Sequence, residues 1–129
     1  MEVVGAVASI QQLATLLGGT LLKLQKYYSD VKDAPESAKR LRDQLQTASF
    51  LTTMVLAALQ EDQSRIWLAL DNSVLSFLDS ARRLHDKLAE PKKLGRVIWP
   101  FEKQEIDSLI GRIEHYKADL QLALNIHIK

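Results

Sequence analysis

Along three long segments of this chain an apolar residue returns at every third or fourth position, and that spacing admits little except packed helices. Ile106, Leu109, Ile110, Ile113, Tyr116, Leu120 and Leu124 form one such stripe. Trp67, Leu70, Val74, Phe77, Ala81, Leu84 and Leu88 form a second, and Leu41, Leu45, Ala48, Val55 and Leu59 a third. The opposing signals are absent. No run keeps the alternation of a half-buried strand, and no Asn-Gly or Asp-Gly hairpin turn occurs. Good helix formers dominate instead: Ala, Leu, Gln, Lys, Arg and Glu. The spacing predicts an all-α chain, an up-down four-helix bundle with short connections.

Punctuation residues set the expected boundaries. A first helix runs from about Glu2 to Val31, with Gly18-Gly19 as a soft spot where it kinks or another helix comes close. Asp33-Ala34-Pro35-Glu36 reads as a helix start: Asp33 as cap, Pro35 in the first turn, and Glu36 at capping-box spacing. The second helix then reaches about Gln60. Its later half, Phe50 to Leu59, is apolar nearly all round, which predicts a central helix or one covered on two sides. Glu61 to Ser64 makes a turn. The third helix follows, with Asp71-Asn72-Ser73 as a point of local recapping. Pro91, Gly95 and Pro100 make Glu90 to Pro100 the longest non-helical connection. The fourth helix spans about Phe101 to His127, a rod of ~40 Å.

A chain of 129 residues fits one domain, here residues 1–129, and buries roughly two-thirds of its extended surface. Cysteine is 0, so disulfides, thiolate metal sites and cysteine nucleophiles are excluded together, and the lean is towards an intracellular address. A net charge of +1 supplies no global field for nucleic acid. The three histidines, His85, His115 and His127, have no metal-motif partners. There is no phosphate loop, no Gly-x-Ser-x-Gly elbow and no inward Glu-x-x-His pair of a di-iron bundle. The expectation is a non-enzyme, with no catalytic residue, metal, cofactor, small-molecule substrate or nucleic acid.

Two features rise above this background. Between Glu2 and Lys23 no residue is charged. Val3 to Leu22 has the ~20-residue length that spans a bilayer, although Ser9, Gln11, Gln12, Thr15 and Thr20 interrupt it. Burial in the bundle is its expected resting state. The second feature is basic density before the fourth helix. Arg82, Arg83, Lys87, Lys92, Lys93 and Arg96 are opposed only by Asp86 and Glu90, a pattern that anionic lipid headgroups attract. A plain solvated face is the competing reading.

Two stretches carry a resemblance. The opening MEVVGAVASIQQLATLLGG resembles the start of fungal HeLo-like domains, the N-terminal domains of fungal STAND (NOD-like receptor) proteins. RVIWPFEKQEIDSLIGRIEHYKADLQLAL, Arg96 to Leu124, resembles that family's last bundle helix. Here Pro100 fixes the start of the helix, and Trp99 and Phe101 are expected to cap the end of the bundle. The resemblance implies a cell-death effector module of a larger immune or incompatibility receptor, joined covalently to a nucleotide-binding or repeat domain. It also implies self-association, rest in the cytoplasm, and membrane targeting on activation through the first helix. The insertion candidates are then Val3, Val4, Gly5, Val7, Ile10, Leu13, Leu16, Leu17, Leu21 and Leu22. Small pairs such as Gly5/Ser9 and Ala14/Gly18 suit close helix packing in lipid. A non-lytic protein–protein signalling or oligomerisation module is the alternative.

Overall fold

The computed structural model describes residues 3–30, 35–59, 63–88 and 101–128. They form four helices: α1 (Val3–Asp30), α2 (Glu36–Leu59), α3 (Gln63–Leu88) and α4 (Lys103–Ile128). No strand occurs among the described residues. The chain is an all-α four-helix bundle, as the periodicity predicts.

The helix starts have local causes. Pro35 precedes α2 rather than standing inside it, and its carbonyl accepts the Ala38 amide at 3.0 Å to close the first turn. At α4 the Glu102 amide donates to the Glu105 carboxylate at 3.2 Å, and Ile106 bonds back to the Glu102 carbonyl. That is the reach-back half of a capping box, which satisfies an otherwise orphaned donor. Asp33, Trp99 and Pro100 lie outside the described residues. Phe101 is buried at the start of α4.

Neither a kink at Gly18-Gly19 nor a recap at Asp71-Asn72-Ser73 occurs. α1 continues unbroken through Gly18-Gly19. Gly19 lies against His85 of α3, where a Cβ would make ordinary contact at 3.7 Å, and Gly18 faces open space. α3 continues through Asp71-Asn72-Ser73. The Ser73 hydroxyl donates to Asp119 on α4 at 2.5 Å instead of recapping its own helix.

Around the bundle the order is α1, α2, α4, α3. α1 and α4 each pack on both α2 and α3; α2 meets α3 across the diagonal, and α1 and α4 stand at opposite corners with no close backbone approach among the described residues. Side-chain pairs fix the directions. Arg40 reaches Asp107 and Thr52 reaches Tyr116, so α2 and α4 run parallel. Ser73–Asp119, Ser80–Arg112 and Lys87–Glu105 make α3 and α4 antiparallel.

The core follows the stripes. Ile10, Leu13, Leu17 and Leu24 from α1 meet Leu41, Leu45, Ala48, Val55 and Leu59 from α2. Leu70, Val74, Phe77, Ala81 and Leu84 join from α3, and Ile106, Ile110, Ile113, Tyr116 and Leu120 from α4. Leu88, Leu109 and Leu124 are only partly buried at its margin. The buried polar side chains of Thr20 and Thr52 spend their protons on the carbonyls of Leu16 and Ala48, one turn back. Phe77 stacks on Tyr116, with centroids 4.2 Å apart. The expectation for the later half of α2 fails on one side. Phe50 and Met54 stand 65% and 42% exposed, because α2 occupies a corner and only one of its faces meets the diagonal.

Candidate functional site

The uncharged stretch meets one residue of the basic segment, Arg82, along the α1–α3 edge. The apolar side of α1 is committed to the core. Ile10, Leu13 and Leu17 are fully buried, and Leu16 and Leu21 pack partly against them. The stripe extends beyond the sequence-level candidates to Thr20, Leu24 and Tyr27, at steps of three and four. Leu22 falls off the stripe and is 67% exposed. The side chains of Val3, Val4, Gly5 and Val7 lie outside the described set. On its opposite side the first half of α1 exposes Ala8 with the uncharged polar side chains of Gln11, Gln12 and Thr15, and charge returns further on with exposed Lys26.

No helix of the described residues is long and apolar enough to cross a membrane. Val3–Leu22 has the length, but its glutamines and threonines dilute its hydropathy.

The basic residues do not form one patch. Arg82 is exposed and, with Ala8, Gln11, Gln12, Thr15 and Leu16, borders a shallow surface depression between α3 and α1. It has no ion-pair partner among the described residues. Arg83 turns the other way, pairs with Asp79 at 3.2 Å, and lines the groove between α3 and α4. Lys87 lines the same groove, pairs with Glu105, and holds its ammonium 5.1 Å from the centre of the Phe101 ring. Lys92, Lys93 and Arg96 lie outside the described residues. The groove, about 400 Å³, gains a cation that sequence reasoning missed. Arg112 of α4 donates to Ser80 of α3 at 3.1 Å, so it stands beside Arg83 and Lys87 despite its distance along the chain. Only the exposed phase of α4 hinted at it.

Electrostatics favours anions here only modestly. The Glu105 carboxyl is held below its usual value, first by the hydrogen bond from Lys87 and then by the Glu102 amide. That pair neutralises one of the cations of the groove, which Arg83 and Arg112 also line, while Arg82 stands on the other side of α3. Exposed pairs such as Arg83–Asp79 are screened and exchange readily for other anions. No group of His, Asp and Glu among the described residues is arranged to hold a metal ion.

No family model, no curated protein and no solved structure matches this chain.

Proposed function

We propose that this bundle is a HeLo-like effector module, which promotes regulated cell death by self-association and membrane targeting through α1. The observation that carries the reading is the two-sided character of α1. One side, Ile10, Leu13 and Leu17, closes the core. The other, Gln11, Gln12 and Thr15, is exposed and polar but uncharged. The part of α1 before Lys23 is thus soluble while packed and carries no charge into lipid when it leaves.

In a bilayer the glutamines and threonines of a single α1 are costly to leave without partners. Several copies side by side remove that obstacle. Their glutamines and threonines hydrogen-bond to one another, and their leucines face lipid. Self-association therefore comes before insertion in this mechanism. Arg82, Arg83 and Arg112, with Lys92, Lys93 and Arg96, draw the oligomer to anionic headgroups, at about 1 kcal/mol per cation near the surface. An attached nucleotide-binding or repeat domain would supply the trigger, and the resting module would stay in the cytoplasm. No catalytic step or cofactor enters.

The experiment is dye release from anionic vesicles by protein fused to an inducible oligomerising domain. Leakage should follow the inducer, and charge reversal at Arg82, Arg83 and Arg112 should weaken vesicle binding, as should added salt. Deleting residues 1–22 would be a poor control, because it removes Ile10, Leu13 and Leu17 from the core. The alternative reading is a non-lytic signalling or oligomerisation module. It predicts inducible oligomers that leave vesicles intact.

A further inference from the structure

The exposed side of α2 carries an apolar stripe that the bundle leaves uncovered. At 3.6 residues per turn, Phe50, Met54 and Ala57 project from the side opposite Leu41, Leu45, Thr52 and Leu59. All three are exposed, as are Thr47 and Thr53 beside them. A phenylalanine left 65% exposed next to an exposed methionine costs solvation without serving the fold. The same helix carries no charged residue from Gln44 to Gln60.

We propose that this stripe is a homotypic contact, in which α2 of one copy crosses α2 of a second copy antiparallel about a two-fold axis near Thr52. The inference rests on the self-association part of the proposed function and names its surface. Three observations select a second copy as occupant. First, the pattern is self-complementary. The uncharged run from Gln44 to Gln60 is centred on Thr52; Phe50 and Met54 stand symmetrically about that centre, and Thr47 and Ala57 symmetrically beyond them. A two-fold axis there sets Phe50 on the partner's Met54 and the reverse, a favourable ring–sulfur contact flanked by small residues. Second, the stripe is unsuited to anionic lipid. α2 has no cation beyond Arg42, and its exposed Lys39 and Arg40 lie in its first two turns, away from Phe50 and Met54. Third, the size fits a conditional interface. One helix face about 24 Å long buries well under the ~800 Å² per partner of a stable complex. Free monomers therefore stay apart, and copies held at millimolar local concentration by an attached domain pair.

The chain has no cysteine, so single replacements report proximity cleanly. Met54→Cys, Leu22→Cys, Leu75→Cys and Leu122→Cys each place a thiol at an exposed position on a different helix. Each variant of the full chain is oxidised at concentrations rising to millimolar, with sedimentation of the unmodified protein in parallel. Cross-linking of Met54→Cys should be at least about tenfold faster than at the other three sites. Adding Phe50→Glu, an exposed change that leaves helicity by circular dichroism intact, should remove that excess. If the protein associates but Leu22→Cys or another site cross-links fastest, the α2 contact is overturned while self-association stands. If sedimentation finds only monomer at every concentration, self-association by this chain alone fails, and the α2 contact with it. A fluorophore on Met54→Cys that is shielded by anionic vesicles, and not by raising protein concentration, also overturns the proposal, because the membrane is then the occupant.

Discussion

Thr52→Val and Tyr116→Phe probe the contact that sets α2 beside α4. The two hydroxyls are 2.8 Å apart and buried. Thr52 has one proton, and it goes to the Ala48 carbonyl at 2.7 Å. Tyr116 must therefore donate to Thr52. Burial raises the phenol far above its ordinary pKa, so it remains a donor at every accessible pH. The two ends of the bond are not equivalent. Thr52→Val keeps the side-chain shape but strands a buried donor, which costs about 1–3 kcal/mol. Tyr116→Phe removes the donor and leaves Thr52 bonded to Ala48, so only the net value of one hydrogen bond is lost, about 1 kcal/mol. In the double variant no donor is stranded. It should cost no more than Thr52→Val alone, which gives a coupling of roughly 1 kcal/mol or more. At this chain length 1 kcal/mol moves the melting temperature by about 3–5 °C, within reach of urea and thermal unfolding followed by circular dichroism. Strictly additive costs would mean that the hydroxyls do not meet. The parallel register of α2 and α4 would then be wrong.

Other outcomes follow from burial and local geometry. Leu13→Ala and Leu120→Ala, both at fully buried positions, should each lose about 2–5 kcal/mol in urea unfolding, and Leu109→Ala, at the core margin, clearly less. Gly18→Ala should stabilise by about 0.5–1 kcal/mol, since the site is mid-helix and its added Cβ meets nothing. Glu105 is ionised more easily in the folded state, so its contribution is present above the ordinary value of 4.5 and lost as pH falls through the lowered folded value. Glu105→Gln should therefore destabilise at neutral pH and flatten the acid limb of a pH–stability curve below that value.

The helices were legible because burial repeats along the sequence. The stripe from Ile106 to Leu120 and the stripe from Leu41 to Leu59 predict which side chains enter the core. Periodicity defines a face but not its neighbour, so the order α1, α2, α4, α3 had no local signature; it depends on pairs such as Thr52–Tyr116, 64 positions apart. The same limit explains Phe50 and Met54. A nearly all-round apolar composition suggested a central helix or one covered on two sides, and the corner position of α2 leaves Phe50 and Met54 open. Asp71-Asn72-Ser73 resembled a cap because its side chains can bond locally, and Ser73 found Asp119 across the helix interface. The basic segment was legible as a run, whereas its division between two faces, Arg82 towards α1 and Lys87 towards α4, follows from helical phase. Arg112 became part of the groove only through tertiary packing.

The central claim is that α1 acts in the membrane, and lysine at Gln11 and Gln12 tests it most directly. Both positions are exposed in the bundle, so the double variant should fold and oligomerise like the parent. In lipid each lysine near the middle of a helix costs about 2.5–3.5 kcal/mol, and the two also place like charges in the seam between neighbouring copies of α1. Dye release from anionic vesicles, triggered by induced oligomerisation, should fall at least about tenfold in Gln11→Lys/Gln12→Lys. A folded, oligomeric double variant that empties vesicles as fast as the parent would contradict insertion of α1.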